Sequence, residues 1–127
     1  MTRTVWDASA LLLVLHQEPG WEGLAPRIGT AVVSCVNVAE VASKLTDAGI
    51  PAAEVEDLLG GLGLEIRPFD LPEAYEVSRL RRLTRSKGLS LGDRACLALA
   101  RRLGLGVLTA DRSWEGLRLG FAIELAR

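Results

Sequence analysis

The apolar residues of this chain recur at two periods. Short β-branched or alternating runs predict strands at Thr4-Val5-Trp6, Ala31 to Cys35, Leu64 to Arg67 and Gly106 to Thr109, with an edge strand at Phe121 to Ile123. Helical stripes fill the intervals. An apolar run from Ala10 to His16 follows the first strand, and Leu24 and Ile28 suggest a short helix over Trp21 to Ile28. From Asn37 to Ala48, Val38, Val41, Ala42 and Leu45 form one face, and Gly49 is a stop. Pro51 opens a helix to about Leu59 that breaks at Gly60-Gly61. A long helix from Pro72 to about Ser86 is expected to turn Ala74, Val77, Leu80 and Leu83 inward and to end at Gly88. The next, Ser90 to Leu103, carries Cys96, Leu99, Ala100 and Leu103 on one stripe, and a helical turn is expected at Ser113 to Leu117.

Strands alternating with helices predict an α/β sandwich: a central, mostly parallel sheet of four to five strands flanked by helices. With 127 residues and no repeat, linker or shift in composition, residues 1–127 read as a single domain. The glycines at 60, 61 and 63 follow a helix and precede a strand, the reverse of what a dinucleotide fingerprint needs. The early apolar run Ala10 to Leu15 is far short of the ~20 residues that span a bilayer, and neither end is patterned as a targeting segment, so no membrane association and a cytoplasmic location are expected. Cys35 and Cys96 lie in apolar segments and are expected as buried free thiols in a reducing compartment. His16 is the only histidine, which excludes chemistry that needs two imidazoles and makes a His-rich zinc site or a Ser-His-Asp triad hard to assemble.

Carboxylates are left to carry any chemistry. Asp7 follows the first strand, Glu40 lies in the first turn after the second, Asp93 begins its own helix and Asp111 follows the fourth strand. In an open parallel sheet the strand ends border the ligand crevice, so segments distant in sequence can bring these acids together. Each has a small polar companion: Ser9, Asn37, Ser90 and Thr109. Helix capping explains any one of them alone. Asn37 to Glu40 and Ser90 to Asp93 fit capping boxes, and Asp7 and Asp111 fit N-caps. The joint pattern is harder to assign to capping. Converging carboxylates need a cation, and an all-oxygen set selects Mg²⁺ or Mn²⁺, which suits phosphodiester hydrolysis by metal-activated water.

Charge points to the substrate class only locally. The whole chain carries 15 basic and 16 acidic residues, yet Asp93 is the only acid between Glu76 and Asp111, among Arg79, Arg81, Arg82, Arg85, Lys87, Arg94, Arg101 and Arg102. Arg79, Arg82, Arg85 and Arg94 are candidate contacts to RNA phosphates, against the alternative of a solvated helix face. Single-stranded or looped RNA suits this pattern better than groove-reading of DNA. Trp6, Trp21 and Trp114 are expected to pack, and Lys44 to pair with Glu40 one turn away.

The motifs Asp7-Ala8-Ser9, Asn37-Val38-Ala39-Glu40, Leu89-Ser90-Leu91-Gly92-Asp93 and Leu108-Thr109-Ala110-Asp111 together resemble the PIN-domain nucleases, and within them the VapC-type toxins of toxin–antitoxin pairs. The resemblance spans essentially the whole chain. It implies a three-layer PIN-like sandwich, a Mg²⁺- or Mn²⁺-dependent endoribonuclease, a homodimer, and a cognate antitoxin that occupies the active-site groove. It makes Asp7, Glu40, Asp93 and Asp111 the metal-site acids, oriented by Ser9, Asn37 and Thr109. Some family members carry a further acid just after the last motif; here Arg112, Ser113 and Trp114 precede Glu115, which leaves one or two metals open. A non-catalytic PIN-like protein- or RNA-binding module, its acids serving as caps, is the competing reading. A phosphoacceptor domain is weaker, because the only lysines are Lys44 and Lys87 and neither follows a late strand.

Overall fold

Five short strands pair in parallel: β1 (Thr4–Trp6), β2 (Ala31–Ser34), β3 (Glu65–Arg67), β4 (Val107–Thr109) and β5 (Ile123–Leu125), in the order β3-β2-β1-β4-β5. The computed structural model describes residues 2–127. Among the described residues, six α-helices flank the sheet: α1 (Ala8–Leu15), α2 (Trp21–Leu24), α3 (Cys35–Asp47), α4 (Ala52–Gly60), α5 (Leu71–Thr84) and α6 (Leu91–Leu103). The expected α/β sandwich is therefore what forms.

Strand alternation assigns the helices to the two faces. Val5, Val32 and Val107 point into a core with Val77 and Leu80 of α5 and Ala95 to Ala100 of α6. Their neighbours Trp6, Ala31, Val33 and Leu108 point the other way, against Leu11 and Leu13 of α1, Val41 and Leu45 of α3, and Val55 and Leu59 of α4. One-residue steps switch faces because strand side chains have a period of two. Each central strand thus feeds two cores. Charge covers the sheet edges, with Arg3 and Arg67 on Glu65 of β3 and Arg27 on Glu124 of β5.

The chain runs β1 to β2 to β3 on one side, then returns to place β4 on the other side of β1. That reversal opens a crevice at the carboxyl ends of β1 and β4, where open α/β sheets bind ligands. Asp7 directly follows β1, and Asp111 lies two residues past β4.

Several local expectations shift. The segment expected as one helix over Trp21 to Ile28 is α2 followed by a 3₁₀ turn at Ala25–Thr30, with Pro26 at its start. Helix α3 begins at Cys35 rather than Asn37, because the Ser34 hydroxyl accepts the Val36 N–H (3.2 Å) and caps it. Cys35 consequently lies exposed on the first turn instead of buried, whereas Cys96 is buried as expected. On α5, Leu83 faces solvent and Thr84 takes the inward position, its hydroxyl donating to the Leu80 carbonyl at 2.8 Å. The last strand begins at Ile123, two residues later than its pattern suggested, and the final helical turn is a 3₁₀ turn at Arg112–Trp114.

Candidate metal centre

Asp7 occupies the centre of the crevice and is only 3% exposed. Its carboxylate caps α1 by accepting the Ala10 N–H at 2.9 Å. Two hydroxyls also donate to it: Thr109 at 2.6 Å, and Ser9 at 2.8 and 2.9 Å to the two oxygens. Each hydroxyl is oriented from behind. Ser9 Oγ accepts the Ala110 N–H (2.9 Å) and Thr109 Oγ1 accepts the Asp111 N–H (3.0 Å). The end of β4 is thereby tied to the start of α1 through one carboxylate, to which Ser9 and Thr109 both donate.

Those donors alone would lower the Asp7 pKa, but burial outweighs them and raises it to about 6, with the charge of Asp93 adding to the rise. Asp7 is an acid in tension with its surroundings at neutral pH. Asp93 sits at the third position of α6 in the capping box read from the sequence: it accepts the Ser90 N–H (2.9 Å), and its own N–H donates to Ser90 Oγ (3.1 Å). Asp111 caps the Arg112–Trp114 turn through Ser113 N–H (2.9 Å).

Glu40 is different. Because α3 starts at Cys35, neither Asn37 nor Glu40 is at a cap, and the capping box expected there does not form. Asn37 is buried and donates both amide hydrogens, one to Glu40 Oε1 at 2.8 Å and one to the Gly92 carbonyl at 3.0 Å. Its Oδ1 is buried with no partner among the described residues. This bond joins α3 to the first turn of α6 and holds Glu40 against Gly92, where a Cβ would overlap the carboxylate. Glu40 is turned to Asn37 rather than to Lys44.

Asp7, Glu40 and Asp93 share one neighbourhood. Beneath them lies Cys96, a wholly buried thiol pushed well above its ordinary pKa, first by burial and then by the charges of these three acids. Among the described residues, no three His, Cys, Asp or Glu side chains stand close enough together to hold an ion. Each carboxylate is turned instead to its own local donor. The nearby donor set is carboxylate oxygen, which fits a hard cation such as Mg²⁺ or Mn²⁺ and not zinc. The rising Asp7 pKa is what a cation would relieve.

The basic cluster divides on inspection. Arg94, expected as an RNA contact, is 8% exposed and donates to the Val77 carbonyl at 3.0 Å, which ties α6 to α5, while its Nε is buried with no partner among the described residues. Arg79 is paired with Glu76 at 2.6 Å, and Arg101 reaches the same carboxylate at 3.3 Å. Arg102 bridges Asp70 and the buried Glu73. Glu73 and Glu76 on the inner face of α5 compensate charges that the sequence left looking unopposed. Arg81, Arg82 and Arg85 stay exposed, with no acidic partner among the described residues. Gly92 escaped the sequence reading. Its signal was a glycine inside the first turn of a helix, a position that costs about 1 kcal/mol against alanine.

The PIN domain family matches residues 4–118 of this chain. No curated protein matches it in sequence. Among solved structures it is similar to DNA-bound VapBC from Salmonella typhimurium, at 18% identity and a TM-score of 0.74 over 100% of both chains. A toxin–antitoxin complex from Klebsiella pneumoniae is similar at 15% identity and 0.77, over 98% of each chain. FitAcB from Neisseria gonorrhoeae is similar at 19% identity and 0.69, over 97% of each. At these identities the structural likenesses establish the fold. The family match spans nearly all of the chain and takes in Asp7, Glu40, Asp93 and Asp111, and the chain belongs to the PIN-domain family.

Proposed function

We propose that this chain is a metal-dependent endoribonuclease acting as the toxin of a toxin–antitoxin pair. The observation that carries the reading is Glu40. It caps no helix, yet Asn37 and Gly92 hold it at the first turn of α6, next to Asp93, where its charge acts on the same buried thiol, Cys96, as those of Asp93 and Asp7. A fold that needed only caps would have no use for a third carboxylate there.

Asp7, Asp93 and Glu40 would hold Mg²⁺ or Mn²⁺, with Asp111 at the rim of the crevice. When bound, such a cation supplies Lewis acidity and a nucleophile at neutral pH. Ser9 and Thr109 keep both Asp7 oxygens in place, and Asn37 keeps the Glu40 carboxylate from swinging to solvent. Unpaired arginines near the start of α6 suit a phosphate backbone, so RNA is the proposed substrate. Similar structures of toxin–antitoxin complexes support a cognate antitoxin as partner. A homodimer is part of the same reading. No helix of the described residues is long and apolar enough to cross a membrane, and the proposed site of action is the cytoplasm.

The competing reading, a non-catalytic binding module, draws on a real observation: Asp7, Asp93 and Asp111 all do cap helical turns. Glu40→Gln and Asp93→Asn separate the two. Both changes keep a hydrogen-bonding oxygen, so the module reading expects no effect. The nuclease reading expects RNA cleavage by the antitoxin-free protein to depend on Mg²⁺, to stop in chelator and to be lost in each variant. Cleavage indifferent to chelator and to both changes would overturn it.

A further inference from the structure

The α5–α6 corner carries a cavity that the acids do not use. It has a volume of about 180 Å³ and is lined by Arg81, Thr84, Arg85, Gly88 and Leu89. Pockets that enclose a whole small molecule run to ~300–1,000 Å³, so this one suits a single group rather than a nucleotide. Its charge is one-sided. Arg81 and Arg85 stand four apart on one face of the helix and its 3₁₀ extension at Arg85–Lys87, and no acid among the described residues pairs with either. Two other polar groups of the wall are already engaged internally. Thr84 Oγ1 donates to the Leu80 carbonyl, and Gly88, in the left-handed conformation at φ 64°, donates its N–H to the Arg85 carbonyl at 3.1 Å. The two guanidinium groups, without an acidic partner among the described residues, are the charged groups the cavity offers a ligand.

Two links set this cavity at the edge of the acid crevice. Leu89, in its wall, leads directly into Ser90 and the capping box that holds Asp93. Lys87, on the same turn, donates to the Glu115 carbonyl at 2.9 Å and so fastens the corner to the segment that follows Asp111. The wall therefore bridges the two stretches that carry Asp93 and Asp111.

We propose that Arg81 and Arg85 form a phosphate pocket that grips the RNA backbone at a nucleotide flanking the cleaved bond. This rests on the nuclease reading and deepens it. It also reassigns the recognition residues: Arg79 and Arg94 are held by Glu76 and Val77, whereas Arg81, which the sequence did not single out, faces the cavity. The plainer account is that arginines in the last turn of α5 offset its dipole. That account predicts a change in stability and none in RNA binding.

The test uses the full chain and a fluorescein-labelled single-stranded RNA oligonucleotide, with binding read by anisotropy in chelator across a salt series. Arg81→Gln/Arg85→Gln is compared with Arg3→Gln/Arg27→Gln, which removes the same charge at positions preceding β1 and β2, away from the strand ends that carry the acids. The pocket variant should bind about tenfold more weakly, with a salt slope smaller by about 1.4 for two lost contacts. In Mg²⁺ it should raise KM for the oligonucleotide, leave kcat unchanged, and cleave a dinucleotide as the unaltered protein does. Loss of affinity no greater than in the control pair overturns the pocket, as does an equal loss on the dinucleotide. Arginine-dependent binding by a protein that never cleaves would leave the pocket standing and remove the nuclease reading. A thermal melt of each variant shows that it is folded.

Discussion

The Glu40 carboxylate rests against the Cα of Gly92, so closely that a methyl group there would overlap both of its oxygens. Gly92→Ala is therefore an informative change. Alanine is the better helix former by about 1 kcal/mol, and the clash falls on the far end of a flexible side chain. The variant should fold with equal or higher Tm, displace Glu40, and lose cleavage at least ~10-fold, the cost of about 1.4 kcal/mol in the transition state. Undiminished cleavage would show that Glu40 need not sit where it does.

Asp7 should leave a signature in stability against pH. Its folded pKa of about 6 exceeds the unfolded 3.8, so the folded state holds the proton more tightly. The resulting stabilisation is fully present below about pH 4 and is lost as pH rises through 6. Across that window the loss is about 3 kcal/mol in chelator. Asn at this position retains an acceptor for the Ala10 N–H, so Asp7→Asn should flatten the loss and be the more stable protein at pH 7. Glu65 and Glu124, held low by Arg3 and Arg27, act in the opposite sense in both proteins and cancel from the difference. Denaturant unfolding at pH 5 and pH 7 measures it, and parallel curves for the two proteins would contradict the buried charge.

Arg94 is expected to behave as a structural residue. Arg94→Ala removes the bond to the Val77 carbonyl and the packing of a long stem between α5 and α6. A loss of about 1–3 kcal/mol follows, with RNA affinity unchanged per folded molecule. A folded variant with weakened binding would return Arg94 to the substrate surface.

Arg102→Ala should cost more than its exposure suggests. Its guanidinium faces Glu73 at 3.0 Å, and burial already raises the pKa of that acid. Removing the partner leaves a nearly buried carboxyl uncompensated, a loss of up to about 3 kcal/mol. Arg102→Ala/Glu73→Gln should recover much of it. A double-mutant cycle on Tm reads the coupling, and additive losses would show that the pair is independent.

Much of this protein was legible because its signals are local. A strand needs only alternate apolar residues, and a cap only an oxygen within one turn, so β1, β4, α6 and the Ser90–Asp93 capping box could be read from neighbours in the chain. Even the acids stood out by position, since each follows a strand or opens a helix. The order β3-β2-β1-β4-β5 was not local. It arises from two cores that fill only when β4 returns to the far side of β1, and it alone puts Asp7 at the crevice. Charge shows the same division. Sequence spacing made Arg94, Arg101 and Arg102 look free, but Glu73, Glu76 and the Val77 carbonyl on α5 reach them from across the helix pair, whereas the Glu76–Arg79 pair lies within α5 at i, i+3. The start of α3 mattered most: a cap at Ser34 rather than Asn37 moved Glu40 off capping duty, and the contact with Gly92, 52 positions away, then gave it a place. Residue types and local periods determined which groups were present; packing between distant segments decided which of them meet.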